Sequence, residues 1–149
     1  MAAQVIECEA PVQEQRLIRL VASAFDLSRV AAGRADAIRA CLPTKSRDED
    51  GFYWVPARPR GTWLGFRRPV DEPRPLGEVS VLEIINAMVA LCVAGAGMER
   101  EELLRATVEF FGGRRLTSSL RQRAEIALMQ AISRGRLVSA GNGMVSVPR

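Results

Sequence analysis

Apolar and polar positions in the last 50 residues follow helical spacing twice and then break into a short β-prone run. The pattern predicts a helix over Glu99 to Phe111, a turn at Gly112-Gly113-Arg114-Arg115, a second helix over Thr117 to Arg134, and a hairpin pivoting on Gly141-Asn142-Gly143. In the second helix Leu120, Ala124, Ala127, Leu128 and Ala131 recur at intervals of three and four and are expected to face a core. Ser118, Ser119, Arg121, Gln122 and Glu125 are then left toward solvent, and Thr117 or Ser118 is the expected cap. Upstream, Ser80-Val81-Leu82-Glu83 reads as a capping box that opens a helix to about Ala94. That helix is apolar on nearly every side and needs cover on more than one: from the first half of the chain, from the Trp63–Phe66 stretch, or from a second molecule. Gly95 and Gly97 stop it. Glu99, Glu101 and Glu102 follow, where a helix dipole favours acids.

The first half is less regular. Weak alternation over Val5-Ile6-Glu7-Cys8-Glu9 predicts a short strand. Pro11 opens a helix over Glu14 to Phe25, with apolar positions 17, 18, 21, 24 and 25. Asp26 to Arg29 is a turn, and a short helix over about Gly33 to Leu42 ends at Pro43. Residues 47–55 read as a hairpin turning at Asp50-Gly51 into the aromatic run Phe52-Tyr53-Trp54. Residues 56–79 hold five prolines and five arginines and read as a connector, pinned to a neighbouring surface by Trp63, Leu64 and Phe66.

The two halves resemble each other. With a shift of 86, Leu17, Ile18, Arg19, Phe25, Arg29 and Val30 fall on Leu103, Leu104, Arg105, Phe111, Arg115 and Leu116. Each block leads into a second helix and a glycine-turn hairpin. Helix, helix, two-stranded wing is the order of a winged helix-turn-helix. The expected fold is therefore α-rich (α+β): two tandem winged helix-turn-helix units with short β-hairpin wings. The first unit is 1–56, with its opening helix missing or shortened; the connector is 57–79 and the second unit 80–149.

Charge sharpens the asymmetry between the halves. Residues 112–149 contain seven arginines against Glu125, a balance of +6, whereas residues 1–111 contain 14 bases and 16 acids. The net +4 thus hides one basic end on a near-neutral body. All basic residues but Lys45 are arginine. The three cysteines, Cys8, Cys41 and Cys92, form no CxxC pair, and histidine is absent, which points to reduced thiols and a cytoplasmic setting rather than a disulfide or Cys/His zinc site. The uncharged run Ile84–Met98 is too short to cross a bilayer, and the acidic N-terminus lacks the basic start of a signal peptide.

Catalysis is not expected of this chain. Lys45 has no glycine loop around it, so no P-loop exists, and without histidine no Ser-His triad can form. Glu99, Glu101 and Glu102 suit a helix N-terminus better than a carboxylate site, and Asp48-Glu49-Asp50 suits a turn tip better than a cation site. No cofactor or metal is expected.

The run Ala24-Phe25-Asp26-Leu27-Ser28-Arg29-Val30, then Gly51-Phe52-Tyr53-Trp54-Val55-Pro56, then Ser80 to Met88 and the repeated helix-turn-helix resemble the uncharacterised C-terminal domain attached to large bacterial superfamily I DNA helicases. The likeness runs from about Ile6 to Val147. Ala10 and Asp26 depart from it, since glycine is frequent there in that family. The resemblance implies a non-catalytic accessory module of a longer, ATP-dependent helicase-like protein, with the other domains of that protein as partners and DNA as its substrate.

The residues expected to meet DNA are Arg114, Arg115, Thr117, Ser118, Ser119, Arg121, Gln122, Arg123, Arg136 and Asn142. The N-terminal half of a second helix enters the major groove in helix-turn-helix proteins. Arginine and glutamine pair with base edges there, and hydroxyls and free backbone N–H groups suit phosphates. In the first copy Asp36 sits between Arg34 and Arg39, and the Asp48-Glu49-Asp50 tip repels phosphates. A structural or protein-contact role is expected for that copy. The rival reading is a protein-interaction or dimerisation module without direct nucleic-acid contact, in which the helix over residues 80–94, open to self-association, and the first copy form the contact.

Overall fold

The computed structural model describes residues 1–27, 29–70 and 73–149. Ser28, in the expected Asp26–Arg29 turn, and Asp71 and Glu72, in the expected connector, lie outside the described residues. The chain is mixed helix and sheet and divides into two compact units, Met1–Trp63 and Leu64–Arg149. No helix among the described residues is long and apolar enough to cross a membrane.

The first unit runs α1 (Ala2–Glu9), β1 (Val12–Gln13), α2 (Glu14–Ser23), α3 (Ala32–Ala40) and β2 (Phe52–Tyr53). Its core is Ile6, Val12, Leu17, Ile18, Val21, Leu42 and Tyr53. Leu17, Ile18, Val21 and Ala22 make one buried stripe on α2, and the Gln13 side chain caps that helix by accepting the N–H groups of Gln15 and Arg16. One expectation fails here. Residues Val5–Glu9 are helix rather than strand: Ile6 packs into the core with Ala2 and Val5 beside it, a helical face that the short alternation imitated. The first unit accordingly has an opening helix, though one of eight residues. The expected 47–55 hairpin is present but short: Asp48 N–H donates to the Phe52 carbonyl and Trp54 N–H to the Ser46 carbonyl, around one bridge between Arg47 and Tyr53. The main partner of Phe52–Tyr53 is β1, some 40 residues earlier, with Val12 opposite Tyr53.

The second unit runs α4 (Val81–Ala94), β3 (Met98–Glu99), α5 (Arg100–Phe110), α6 (Ser118–Ser133), β4 (Val138–Ser139) and β5 (Met144–Ser146). The sheet is antiparallel in the order β3-β5-β4. β3 is a strand the hydrophobic pattern did not predict. Thr117 caps α6 and Ser80 caps α4, as expected. Glu83, however, does not complete the capping box: its fully buried carboxylate accepts two hydrogen bonds from Arg74, at 3.1 and 3.0 Å.

The apolar α4 finds its cover inside its own unit. Ile84, Ile85, Met88 and Cys92 pack with Leu103, Leu104, Ala124, Leu128, Leu137 and Val145, and the 64–79 segment adds Phe66, Leu76 and Val79. That leaves little apolar surface on α4 for the self-association expected of residues 80–94, chiefly Val93. The segment grips the end of α5: Phe66 meets Phe110 edge-on at 5.5 Å, and the Arg74 N–H donates to the Phe111 carbonyl. In the first unit Trp63 packs edge-on against Trp54 at 5.9 Å. Leu64, expected to help pin the connector, is exposed.

The repeat is visible in the backbone. A shift of 86 carries the starts of β1, α2 and α3 onto those of β3, α5 and α6. It carries Asp26, at φ 57°, onto Gly112, at φ 89°, and the Leu27-to-Ala22 hydrogen bond onto Gly113-to-Val108. After α6, longer than α3 at 16 against 9 residues, the shift becomes 92. Gly51 then falls on Gly143, at φ 83° and 82°, and their carbonyls accept the N–H groups of Glu14 and Arg100 respectively. One pair diverges: Phe111 is 1% exposed and its counterpart Phe25 is 61% exposed.

Candidate nucleic-acid interface

The turn between α5 and α6 is built on two glycines. Gly112 takes a left-handed φ that disfavours a side chain, and a Cβ on Gly113 would sit 2.5 Å from Val108 Cγ1. Pressed against α5 in this way, the turn brings Arg114 and Arg115 beside Arg105 and Glu109 of α5 and Arg121 of α6. With Val108 and Leu116 these residues line a groove of about 290 Å³. Arg105 was not among the residues singled out from sequence. Its signal was there: the apolar stripe Leu103, Leu104, Thr107, Val108 leaves position 105 on the outer face of α5.

The arginines of the groove are not alike. Arg105, Arg114 and Arg115 are exposed, and none has an ion pair with an acid among the described residues. Arg121 is engaged: its two Nη atoms donate to the two carboxylate oxygens of Glu101 at 2.6 and 2.8 Å, with Glu125 at 3.8 Å. The hydrogen bond from Arg121 holds the Glu101 carboxyl below its ordinary range, and the same bond raises Arg121.

Of the remaining expected residues, Ser118, Ser119 and Gln122 are exposed on the first turns of α6. Thr117 Oγ1 accepts the Leu120 N–H as cap and lies 3.3 Å from Ser119 Oγ. Two arginines are turned inward instead. Arg123 donates to the Val79 carbonyl at 2.7 Å, and Arg136 donates to Asn86 Oδ1 at 2.8 Å, while Asn86 donates to the Gly65 carbonyl. These bonds tie the 64–79 segment, α4 and α6 together and keep both side chains off the outer face. Asn142 is exposed at the hairpin tip, where its side chain accepts the Met144 N–H. The structure thus gathers Arg114, Arg115 and Arg121 in one groove, sets Thr117, Ser118, Ser119 and Gln122 on the adjoining helix start, and leaves Asn142 on a separate loop. Further along α6 the outer face turns apolar: Ile126 and Met129 are 42% and 65% exposed.

In the first unit a charge cluster is neutralised around Glu14, the position equivalent to Arg100. Glu14 accepts from Arg39 Nε and Arg47 Nε, each at 2.9 Å, and from the Tyr53 hydroxyl at 3.4 Å. Burial opposes the charge on Glu14, but the two arginines outweigh it and hold the carboxyl below its ordinary range. Burial, with Glu14 beside it, raises the Tyr53 phenol. Arg39 also bonds Asp36. Asp48, at the acidic tip, is turned to local structure and accepts from the Phe52 N–H and Trp54 Nε1.

Comparison with known proteins gives one likeness. Residues 1–35 match a family described as a protein of unknown function, DUF3320. The match covers α1, β1, α2 and the first residues of α3. No curated protein and no solved structure matches the chain.

Proposed function

We propose that the second unit is a winged helix that binds duplex DNA, chiefly through phosphates, with the start of α6 facing the major groove and the β4–β5 hairpin as its wing. The order of helices and strands and the β3-β5-β4 sheet support the winged-helix reading. The observation that carries the DNA reading is the groove, lined by arginines from α5, the turn and α6, with Glu109 as the only acid in its lining among the described residues. Guanidinium groups in a concave surface suit phosphate oxygens. On this reading the first unit is a second winged helix in which Arg39 and Arg47 are held by Glu14. Its role is structural or in protein contact rather than in DNA contact. The chain acts as a non-catalytic, cytoplasmic accessory module of a larger helicase-like protein.

The test separates outward from inward arginines. Replacing Arg114 and Arg115 by Ala lowers affinity for a duplex and leaves thermal stability unchanged. Replacing Arg123 or Arg136 lowers stability first. Equal DNA binding by the wild type and the Arg114/Arg115 variant rejects the assignment.

A second reading has its own observation. Ile126 and Met129 on α6, with Val138 and Met144 on the hairpin, are exposed apolar residues in the part of the unit that a DNA reader would keep polar. They favour a protein-interaction module, and Met129→Lys would then abolish partner binding while leaving DNA binding intact.

A further inference from the structure

We propose that the groove between α5 and the turn before α6 is a site for a phosphomonoester: the terminal phosphate of a nucleic-acid strand. This rests on the DNA-binding reading and narrows its substrate to strand ends.

The first argument is charge. Arg105, Arg114, Arg115 and Arg121 line the groove against Glu109. Setting Glu101 against Arg121, which it already pairs, and Glu125 against Arg100 leaves two unit charges in excess. An internal phosphodiester brings a single negative charge. A terminal phosphate brings roughly −1.5 to −2 at neutral pH and three acceptor oxygens. The excess matches the end of a strand better than its middle.

Direction is the second argument. The guanidiniums come from three elements: Arg105 from α5, Arg114 and Arg115 from the turn, and Arg121 from α6. Arginines that line one small space from three elements suit a group with three terminal oxygens. A backbone running past offers its free oxygens to one side only. Bidentate arginine contacts are among the stronger charge-assisted hydrogen bonds.

Size and wall chemistry agree. The groove, about 290 Å³, is near the lower end of small-ligand sites, which span roughly 300–1,000 Å³. That is room for a phosphate and part of its nucleotide, not for a duplex. Val108 and Leu116 give it an apolar wall against which a terminal sugar can rest. Arg105, Arg114 and Arg115 have no ion pair among the described residues to give up when the phosphate arrives, Arg105 feeling Glu101 only at longer range.

The experiment uses the full chain and blunt duplexes of one sequence whose strands end in 5′-phosphate, 3′-phosphate or hydroxyl only, titrated by fluorescence anisotropy. One phosphorylated form is expected to bind roughly tenfold tighter than the hydroxyl form. Arg114→Ala with Arg115→Ala removes the difference, and Arg105→Gln, a surface change within a helix, reduces it. A free nucleoside monophosphate should compete only weakly; competition as strong as that of the phosphorylated duplex overturns the strand-end assignment. Equal binding of all three duplexes overturns the proposal and leaves the DNA reading standing. No binding of any duplex overturns the DNA reading itself.

Discussion

Glu14 and Arg39 are paired at 2.9 Å across α2 and α3, and 86 residues later Arg100 and Glu125 pair with their charges reversed, at 3.8 Å. The same two backbone positions, 25 residues apart, are bridged in both units. In the first, the acid also collects Arg47 and Tyr53. In the second, the bridge is longer and Arg100 is more exposed than Glu14, at 38% against 15%. The positions are equivalent, but Glu14 closes its face whereas Arg100 leaves its own open.

Glu14→Gln should therefore destabilise the first unit by about 1–3 kcal/mol, because Arg39, Arg47 and Tyr53 all lose a charged acceptor. Glu125→Gln should cost about 0–1 kcal/mol, as expected of an exposed pair. Urea unfolding of the two variants checks the contrast, and equal losses would remove the functional difference drawn between the faces.

The lowered Glu14 carboxyl gives a pH dependence with a definite sign. Its contribution is present above the ordinary carboxyl value of 4.5 and is lost as pH falls through the lower folded value. Melting temperature should fall as pH drops below about 4.5, and Glu14→Gln should flatten that fall. A variant with the wild-type acid profile would show that other carboxyls control it.

Arg74 and Glu83 form the buried pair that anchors the 64–79 segment to α4. Glu83→Ala should cost about 3–5 kcal/mol, since it strands a buried guanidinium. Replacing both residues together, by Met at 74 and Leu at 83, should recover most of the loss. A double variant as unstable as the single one would mean that the pair is irreplaceable for a reason other than charge.

Gly113 tests the turn that presents the arginines. Its Cβ would meet Val108 on both the side chain and the carbonyl, at 2.5 and 3.0 Å. Gly113→Ala should cost about 1–3 kcal/mol by overpacking and should shift Arg114 and Arg115 outward. Denaturant midpoints read the first effect and duplex affinity the second.

The long helices were legible because α4, α5 and α6 repeat their apolar positions over 11 to 16 residues. Thr117 and Ser80 were legible as caps for a local reason: a cap bonds within three residues of itself. What failed depends on distant partners. β1 and β3 are two residues each and exist through Tyr53 and Val145, more than 40 residues away in the chain. Glu83 looked like half of a capping box, but Arg74 claims its carboxylate. Arg121, Arg123 and Arg136 read alike in sequence, and only tertiary contacts send the first to Glu101, the second to Val79 and the third to Asn86. Arg105 was passed over because the acids beside it dominated the reading of α5.

The most direct measurement is the salt dependence of duplex binding by the wild type and by a variant with Arg105, Arg114 and Arg115 all changed to Ala. If the basic face that carries the groove neutralises phosphate charge, the wild-type slope of log affinity against log salt should be about −4, for four to five phosphates, and the variant should lose roughly 0.9 of slope per contact removed. A flat wild-type slope, or the same slope for both proteins, would contradict the account.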